Sequence, residues 1–203
     1  INIDCESKDE VGVLADSVQQ MVKHLRHYID YVNEQAYTDA LTGVANKAAY
    51  KEYVDELDKR AASEKIKYAV VVMDINNLKK INDNFGHEFG DMLIRDASRL
   101  IQKGFQDHIV YRIGGDEFVI IIEQAEQNEC KELLCNFDNG IVVFNKNNTK
   151  YEQKIQIARG IAFHEPDCID SFAAIFREAD HAMYENKVMQ KSMQTSPVIA
   201  GQS

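Results

Sequence analysis

Cysteine is scarce in this chain. The four that occur (Cys5, Cys130, Cys135 and Cys168) are scattered and match no zinc spacing, so they read as reduced thiols of a cytosolic compartment. Nowhere does an apolar run approach the ~20 residues needed to span a bilayer, and no secretory leader opens the chain. Excess basic charge is also missing. A formal net charge of −10 argues against a non-specific nucleic-acid binder, because phosphate backbones demand a basic face. A small phosphorylated ligand remains allowed, since a few lysines and a divalent cation can reverse the sign locally. There is no internal repeat and no low-complexity block. What is present is ordinary for a soluble globular protein: 203 residues, 45% hydrophobic and 28% charged, enough for one main domain with an appendage. A chain opening on Ile1 reads as a fragment of something longer.

Val11, Leu14, Val18, Met21, Leu25, Tyr28 and Val32 recur at spacings of three and four, with polar residues between them. That strict period, without the wider stripe of a globular helix, predicts a long N-terminal helix with a coiled-coil seam. A turn-rich stretch follows, and then a helix from about Lys47 to Arg60. Tyr68–Ile75 is a near-continuous β-branched run, which predicts a buried strand ending at Asp74. Helical periodicity covers Leu78–Phe85 and Glu88–Lys103, broken at Gly86. Two strands, His108–Ile113 and Phe118–Ile122, flank Gly-Gly-Asp-Glu. A helical segment (Glu126–Asn139), a strand around Lys154–Phe163 and a helix from Ser171 to about Lys191, with Asp170 as N-cap, complete the reading. Residues 192–203 lack periodicity and read as a disordered tail. This order describes an α/β (α+β) sandwich with a mainly antiparallel sheet.

Arg112–Ile122 reads R-I-G-G-D-E-F-V-I-I-I. Glycine and aspartate suit a plain hairpin turn. Yet a turn needs one acidic residue at most, and two carboxylates beside a buried strand repel each other unless a cation offsets them. Asp74, taken alone a cap or turn residue, ends a strand that a small sheet can bring beside Asp116 and Glu117. Three carboxylates without Cys or His form a hard oxygen site suited to Mg²⁺ or Mn²⁺. Magnesium held by few carboxylates completes its shell with water and substrate phosphates, which points to nucleotide phosphoryl transfer. Lys79 could meet a phosphate as a point charge. Asn82 donates and accepts while Asp91 accepts only, so the pair could read a guanine edge. Each of these singly would more simply be a solvated helix residue.

Taken together, the residues resemble the GGDEF family of diguanylate cyclases. Gly114-Gly115-Asp116-Glu117-Phe118 reproduces the naming motif. Asp74, Lys79, Asn82-Asp83, Gly86-His87 and Gly90-Asp91 match its upstream block. Thr38-Asp39, Leu41-Thr42-Gly43 and Asn46 match its N-terminal signature, with Lys47 in place of the usual Arg. Ala179-Asp180, Ala182, Tyr184 and Lys187 match its C-terminal helix. The resemblance spans about Ala36 to Lys191. It implies a fold like the nucleotide-cyclase and polymerase palm, with a five-stranded sheet flanked by helices. It also implies condensation of two GTP into cyclic di-GMP with release of two pyrophosphates, by a homodimer in which each protomer holds one GTP. Carried over by position, Asp74 and Asp116 would bind Mg²⁺ with the Ile75 carbonyl and Glu117 assisting, and Asp116 would accept the 3′-hydroxyl proton. Lys79 would stabilise transition-state charge. Asn82, His87 and Asp91 would bind substrate, and Lys187 and Lys191 would contact the terminal phosphates. Gly114 and Gly115 would let the backbone approach the nucleotide.

The chain departs from the family at Asn76, often Asp, and at Leu78, often Phe. Gln190 and Lys191 stand where Gly and Arg are usual, and lysine lacks the bidentate fork. The product-inhibition motif R-x-x-D is replaced by Phe105-Gln106-Asp107-His108, so product inhibition through that site is expected to be weak or absent. Asp9–Met21 resembles the closing half of a HAMP signalling module. That implies residues 1–35 as a signalling helix, 36–191 as the catalytic domain and 192–203 as a tail, in the cytoplasmic part of a membrane-anchored sensor. Two alternatives stay open: a catalytically silent GTP-binding regulatory domain, and a cyclase that accepts ATP. Retention of Asp74, Lys79, Asp116 and Glu117 weighs against the first. Asp91, an acceptor suited to guanine N–H groups, weighs against the second.

Overall fold

The computed structural model describes residues 10–149, 154–166 and 170–195. Cys5, Cys168, Asp9 of the HAMP-like stretch and the tail beyond Thr195 lie outside the described residues. The chain divides into two compact units, Ile1–Thr38 and Asp39–Ser203.

In the first unit the described residues form one helix, α1 (Glu10–Tyr37). The expected seam faces water: Leu14, Met21, Leu25 and Tyr28 are each more than half exposed. Burying such side chains is worth ~1.5–3 kcal/mol apiece, so the stripe leaves a large stabilisation unused.

The second unit contains α2 (Lys47–Ser63), β1 (Tyr68–Ile75), α3 (Leu78–Phe85), α4 (His87–Gly104), β2 (Val110–Arg112), β3 (Glu117–Glu123), α5 (Gln127–Asn147), β4 (Ile157–His164) and α6 (Phe172–Thr195). The strands lie in the order β2-β3-β1-β4 and every pairing between them is antiparallel. From β1 onward this is a β-α-β-β-α-β arrangement, its first crossover made by α3 and α4. All eight residues of β1 are buried, as a β-branched run covered on both faces requires. Because successive side chains alternate, Ala69, Val71 and Met73 enter the core beneath α3, α4 and α5. Val70 and Val72 enter the opposite core with Leu57 of α2 and Ile175, Ala179 and Met183 of α6.

Three expectations change. The sheet has four strands among the described residues, not five. On the outer side of β2 lies an isolated bridge, Ala45 to Tyr111. Ahead of β4, the backbone of Ile155 is taken by a side chain instead of a strand: Asn145 Nδ2 donates to its carbonyl and Asn145 Oδ1 accepts from its N–H, both at 2.8 Å. Helix α5 does not stop at Asn139 but continues to Asn147. Past Gly140 its apolar period resumes at Ile141 and Phe144, which pack on the core begun by Leu134 and Phe137. Helix α6 starts one residue later than Asp170 would cap, at Phe172, whose N–H donates to Asp58 Oδ1 of α2 at 3.1 Å. It also runs on to Thr195 rather than ending near Lys191.

Candidate active site

Alternation along β1 puts Asp74 on the same face as Val70 and Val72, towards α6. There Lys187 Nζ lies 2.6 Å from Asp74 Oδ1, and the carboxylate is only 7% exposed. Across the sheet Asp74 is in register with Glu117, and the next amide, Ile75 N–H, donates to the Asp116 carbonyl at 3.0 Å. The end of the central strand and the start of β3 are thus stitched together at the two acidic positions. Burial pushes the Asp74 carboxyl above its ordinary value against the pull of Lys187 and Lys191, and the Asp116 charge adds to the rise. Glu117 is pushed up by its own burial and by Asp116, Asp74 and Asp180.

Beside these groups opens a cleft of about 430 Å³, lined among others by Ile75, Asn77, Lys79, Asp116, Lys187 and Lys191. Asn77, at φ 64°, turns the chain out of β1 so that α3 begins at once. That places the exposed Lys79 in the first turn, on the rim. Asp83 and Asn84, one turn on along α3, line the same cleft. Sequence reading singled out neither for a role in the site, although a polar face at spacing three to four from Lys79 was visible.

The hairpin glycines do not serve through positive φ. Among the described residues only Gly43 and Gly86 are glycines with positive φ. A Cβ on Gly114 would lie 2.6 Å from Glu117 Oε2, so this glycine makes room for the Glu117 side chain folding back over the turn. At Gly115 nothing lies within 4 Å of the missing Cβ, which leaves its backbone open to approach. Arg112 pins the turn: Nη2 donates to the Gly115 carbonyl at 2.8 Å and Nη1 to Asp39 Oδ1 at 2.9 Å. Asp39 also accepts from the Thr42 amide at 3.0 Å and hydroxyl at 2.6 Å. Burial raises the Asp39 carboxyl, but the hydrogen bonds from Thr42 and Arg112 outweigh it and hold the group below its ordinary value.

Asn82, His87 and Asp91 lie farther along α3 and α4 and do not line the cleft. Asn82 Oδ1 is buried without a hydrogen-bond partner and faces Gly90, where any Cβ would collide with it. A buried acceptor without a donor costs about 1–3 kcal/mol unless something supplies one. His87 is exposed at the first position of α4, and Asp91 is half-buried on the next turn.

The strand register brings Asp74 beside Asp116 and Glu117, but not as a ready-made metal site. Among the described residues no group of three or more His, Cys, Asp or Glu side chains is placed to hold a metal ion by itself. Asp74 is engaged by Lys187, and Glu117 is folded against Gly114. The donor set nevertheless suits a hard divalent cation that takes few protein ligands and completes its shell from phosphates. Asp74 and Glu117 are both raised by burial and by the Asp116 charge, a repulsion that a cation would relieve.

The fold and cleft together define a class: an α/β sandwich with antiparallel sheet and a cleft lined by carboxylates and lysines at the end of its central strand. The chain belongs to the GGDEF family, "Diguanylate cyclase, GGDEF domain", whose description it matches over residues 36–193. It is 31% identical over 195 residues to the diguanylate cyclase DgcP of Escherichia coli, covering 93% of this chain and 55% of that protein. It is 33% identical over 161 residues to the cyclic di-GMP phosphodiesterase PdeR of E. coli, covering 75% of this chain and 22% of that one. The chain therefore spans from about a fifth to just over half the length of these relatives. Among solved structures, the coiled coil and GGDEF domain of DgcB from Caulobacter crescentus, in complex with c-di-GMP, superposes with TM-score 0.71 at 28% identity, covering 88% of this chain and 94% of that one. No helix among the described residues is long and apolar enough to cross a membrane.

Proposed function

We propose that this chain is a metal-dependent diguanylate cyclase, condensing two GTP into cyclic di-GMP with release of two pyrophosphates. The observation that carries the reading is the cleft at the end of β1, where Asp116 and the lysines 79, 187 and 191 line one space next to Asp74. Asp74, Asp116 and the Ile75 carbonyl, with Glu117 beside them, would hold Mg²⁺ or Mn²⁺. Such an ion lowers the pKa of the attacking hydroxyl and neutralises charge on the phosphates. Lys187 and Lys191 bind the terminal phosphates, and Lys187 exchanges its Asp74 contact for them. Lys79 stabilises negative charge as it builds on the α-phosphate. Asn82 and Asp91, with His87 nearby, bind the guanine edge, and a guanine N–H would supply the donor that the Asn82 oxygen lacks. Gly114 and Gly115 let the ligand approach the turn.

In the reaction the 3′-oxygen of one GTP attacks the α-phosphorus of the other. The bond to pyrophosphate breaks, and the hydroxyl proton passes to Asp116. A second, symmetric transfer closes the ring. One cleft holds one GTP, so the attacking hydroxyl comes from the cleft of a second copy, which makes a homodimer part of the mechanism. The HAMP-like start of α1 fits a parent sensor anchored in a membrane, with this chain on the cytoplasmic side.

The test incubates the chain with GTP, ATP and Mg²⁺ and resolves the products chromatographically, with dimers confirmed by light scattering. Cyclic di-GMP from GTP alone is the expected result. Asp116→Ala should abolish it and Cys130→Ala should leave it nearly unchanged. GTP binding without product from a confirmed dimer would assign a silent regulatory domain instead, and mixed dinucleotides would assign broader base specificity.

A further inference from the structure

The last buried apolar residue of α6 is Met183, yet the helix runs to Thr195. Val188, Met189 and Met193 beyond it are at least half exposed. A free helical stretch of this length is marginal in water, so something other than apolar burial must dock it. Besides the Lys187–Asp74 ion pair, amide side chains supply the contacts. Asn76, the first residue after β1, is 4% exposed, and its Nδ2 donates to Gln190 Oε1 at 2.6 Å. Gln190 Nε2 donates to Asn186 Oδ1 at 3.0 Å and to the Ile157 carbonyl at 3.2 Å. Asn186 Oδ1 also accepts from Arg159 N–H at 3.1 Å. Asn76 is itself fixed by its N–H to the Gln156 carbonyl at 2.9 Å. The end of β1, the start of β4 and the last turns of α6 are thus joined by three neutral side chains, with Lys187 between two of them and Lys191 next in line.

We propose that Asn76 and Gln190 are positioning residues that clasp the end of α6, so that Lys187 and Lys191 meet ligand phosphates in the cleft. What the lysines meet rests on the cyclase reading; the clasp itself does not. The neutrality of residue 76 is part of the device. An aspartate there would bury another carboxylate two residues from Asp74 and set oxygen against oxygen at Gln190. Gln190 could turn its NH₂ towards that carboxylate only by giving up Asn186 and Ile157.

The experiment compares the whole chain with Asn76→Ala, Gln190→Ala, the double variant, Asn76→Asp and Asn76→Asp/Gln190→Lys. Amide hydrogen exchange over residues 184–195 and the thermal midpoint are read without ligand. KM, kcat and the affinity for a non-hydrolysable GTP analogue with Mg²⁺ are read with it. Each single alanine should speed exchange over 184–195 about tenfold, and weaken KM and analogue affinity about tenfold. Meanwhile kcat should stay within about threefold and the midpoint should move little. The double variant should be no worse than the worse single, because the Asn76–Gln190 bond that Asn76→Ala removes is already lost in Gln190→Ala. Asn76→Asp should behave like Asn76→Ala, and adding Gln190→Lys, which supplies a cationic donor opposite the new carboxylate, should recover part of the loss. Unchanged exchange, additive losses, a kcat defect at constant KM, or a midpoint lowered by more than about 10 °C would each overturn the clasp as a positioning device. If the parent chain neither binds nor converts GTP, the cyclase reading fails while the exchange arm still decides the clasp.

Discussion

Glu117 carries its charge at a cost. Burial and three neighbouring aspartates raise its carboxyl above the ordinary value. A group raised on folding contributes stability below its unfolded pKa and loses it as pH rises through the folded one, so at neutral pH Glu117 works against the fold. The Glu117 side chain is exposed, so solvent screens most of this penalty, and Glu117→Gln should raise the melting temperature only slightly, by up to about 1 °C. The same change should lower cyclase activity at least tenfold if the carboxylate assists the metal. A calorimetric scan showing a lower midpoint would contradict this account of the site. Glu123 has the opposite sign. Arg60 donates to both of its oxygens, at 2.9 and 2.6 Å, Tyr53 donates as well, and together they hold it below the ordinary 4.5 against burial. Its contribution is present above pH 4.5 and lost as pH falls further through the folded value, so acid unfolding of Glu123→Gln should lack that part of the slope. The acidic positions of the site were legible in the sequence because charge beside a buried strand is expensive and invites a reason. Asn76 and Gln190 were legible only as departures from a family pattern. A neutral amide reveals its purpose through its partner, and that partner lies 114 residues away.

At the scale of elements, the β2–β3 turn depends on one side chain. Arg112 is 12% exposed and spans from Asp39 to the Gly115 carbonyl, across the turn that carries Asp116 and Glu117. Removing it leaves Asp39 half-buried without its cation. Arg112→Ala should cost about 2–3 kcal/mol in denaturant melts, and Arg112→Lys most of that, since an ammonium cannot make the fork. Activity should fall more than stability alone explains, because the hairpin then holds its carboxylates loosely. Residues 105–108 behave otherwise. They help to line a cavity of about 830 Å³ against α5, whose lining includes no arginine, one lysine (Lys103) and Asp107. A dianionic dinucleotide would be poorly received there, so added cyclic di-GMP should leave initial rates unchanged, and titration calorimetry should detect no tight product site in His108→Ala or the parent. Elements whose pattern is local, such as β1 and the α3–α4 pair, could be read from period and breakers. The far end of α5 could not, because Gly140 looks like a helix stop until Ile141 and Phe144 find the core. The hold of Asn145 on the backbone of Ile155 was equally hidden, since nothing local announces it.

For the molecule as a whole, the chemistry and the first unit make the same demand. On the proposed cyclase reading, the cleft of about 430 Å³ takes one nucleotide, and ring closure then needs two facing each other. The α1 helix meanwhile leaves Leu14, Met21, Leu25 and Tyr28 in water at heptad spacing. Two such helices side by side would bury eight of these side chains, enough at ~1.5–3 kcal/mol each to offset the entropy of pairing. The period of this seam was the plainest signal in the sequence. It predicts a coiled-coil seam, but the period alone does not say which helix covers it. Leu25→Lys sets two ammonium groups against each other at the middle of the seam and removes two buried leucines per dimer. The dissociation constant should rise at least a hundredfold, and specific activity at low concentration should fall with it. The lost activity should return as protein concentration is raised, because each half-site is intact. Replacing α1 with an unrelated parallel coiled coil in the same heptad phase should restore it at low concentration as well. If Leu25→Lys stays monomeric by light scattering at every concentration and still makes cyclic di-GMP at the parent rate, the two-copy mechanism is wrong.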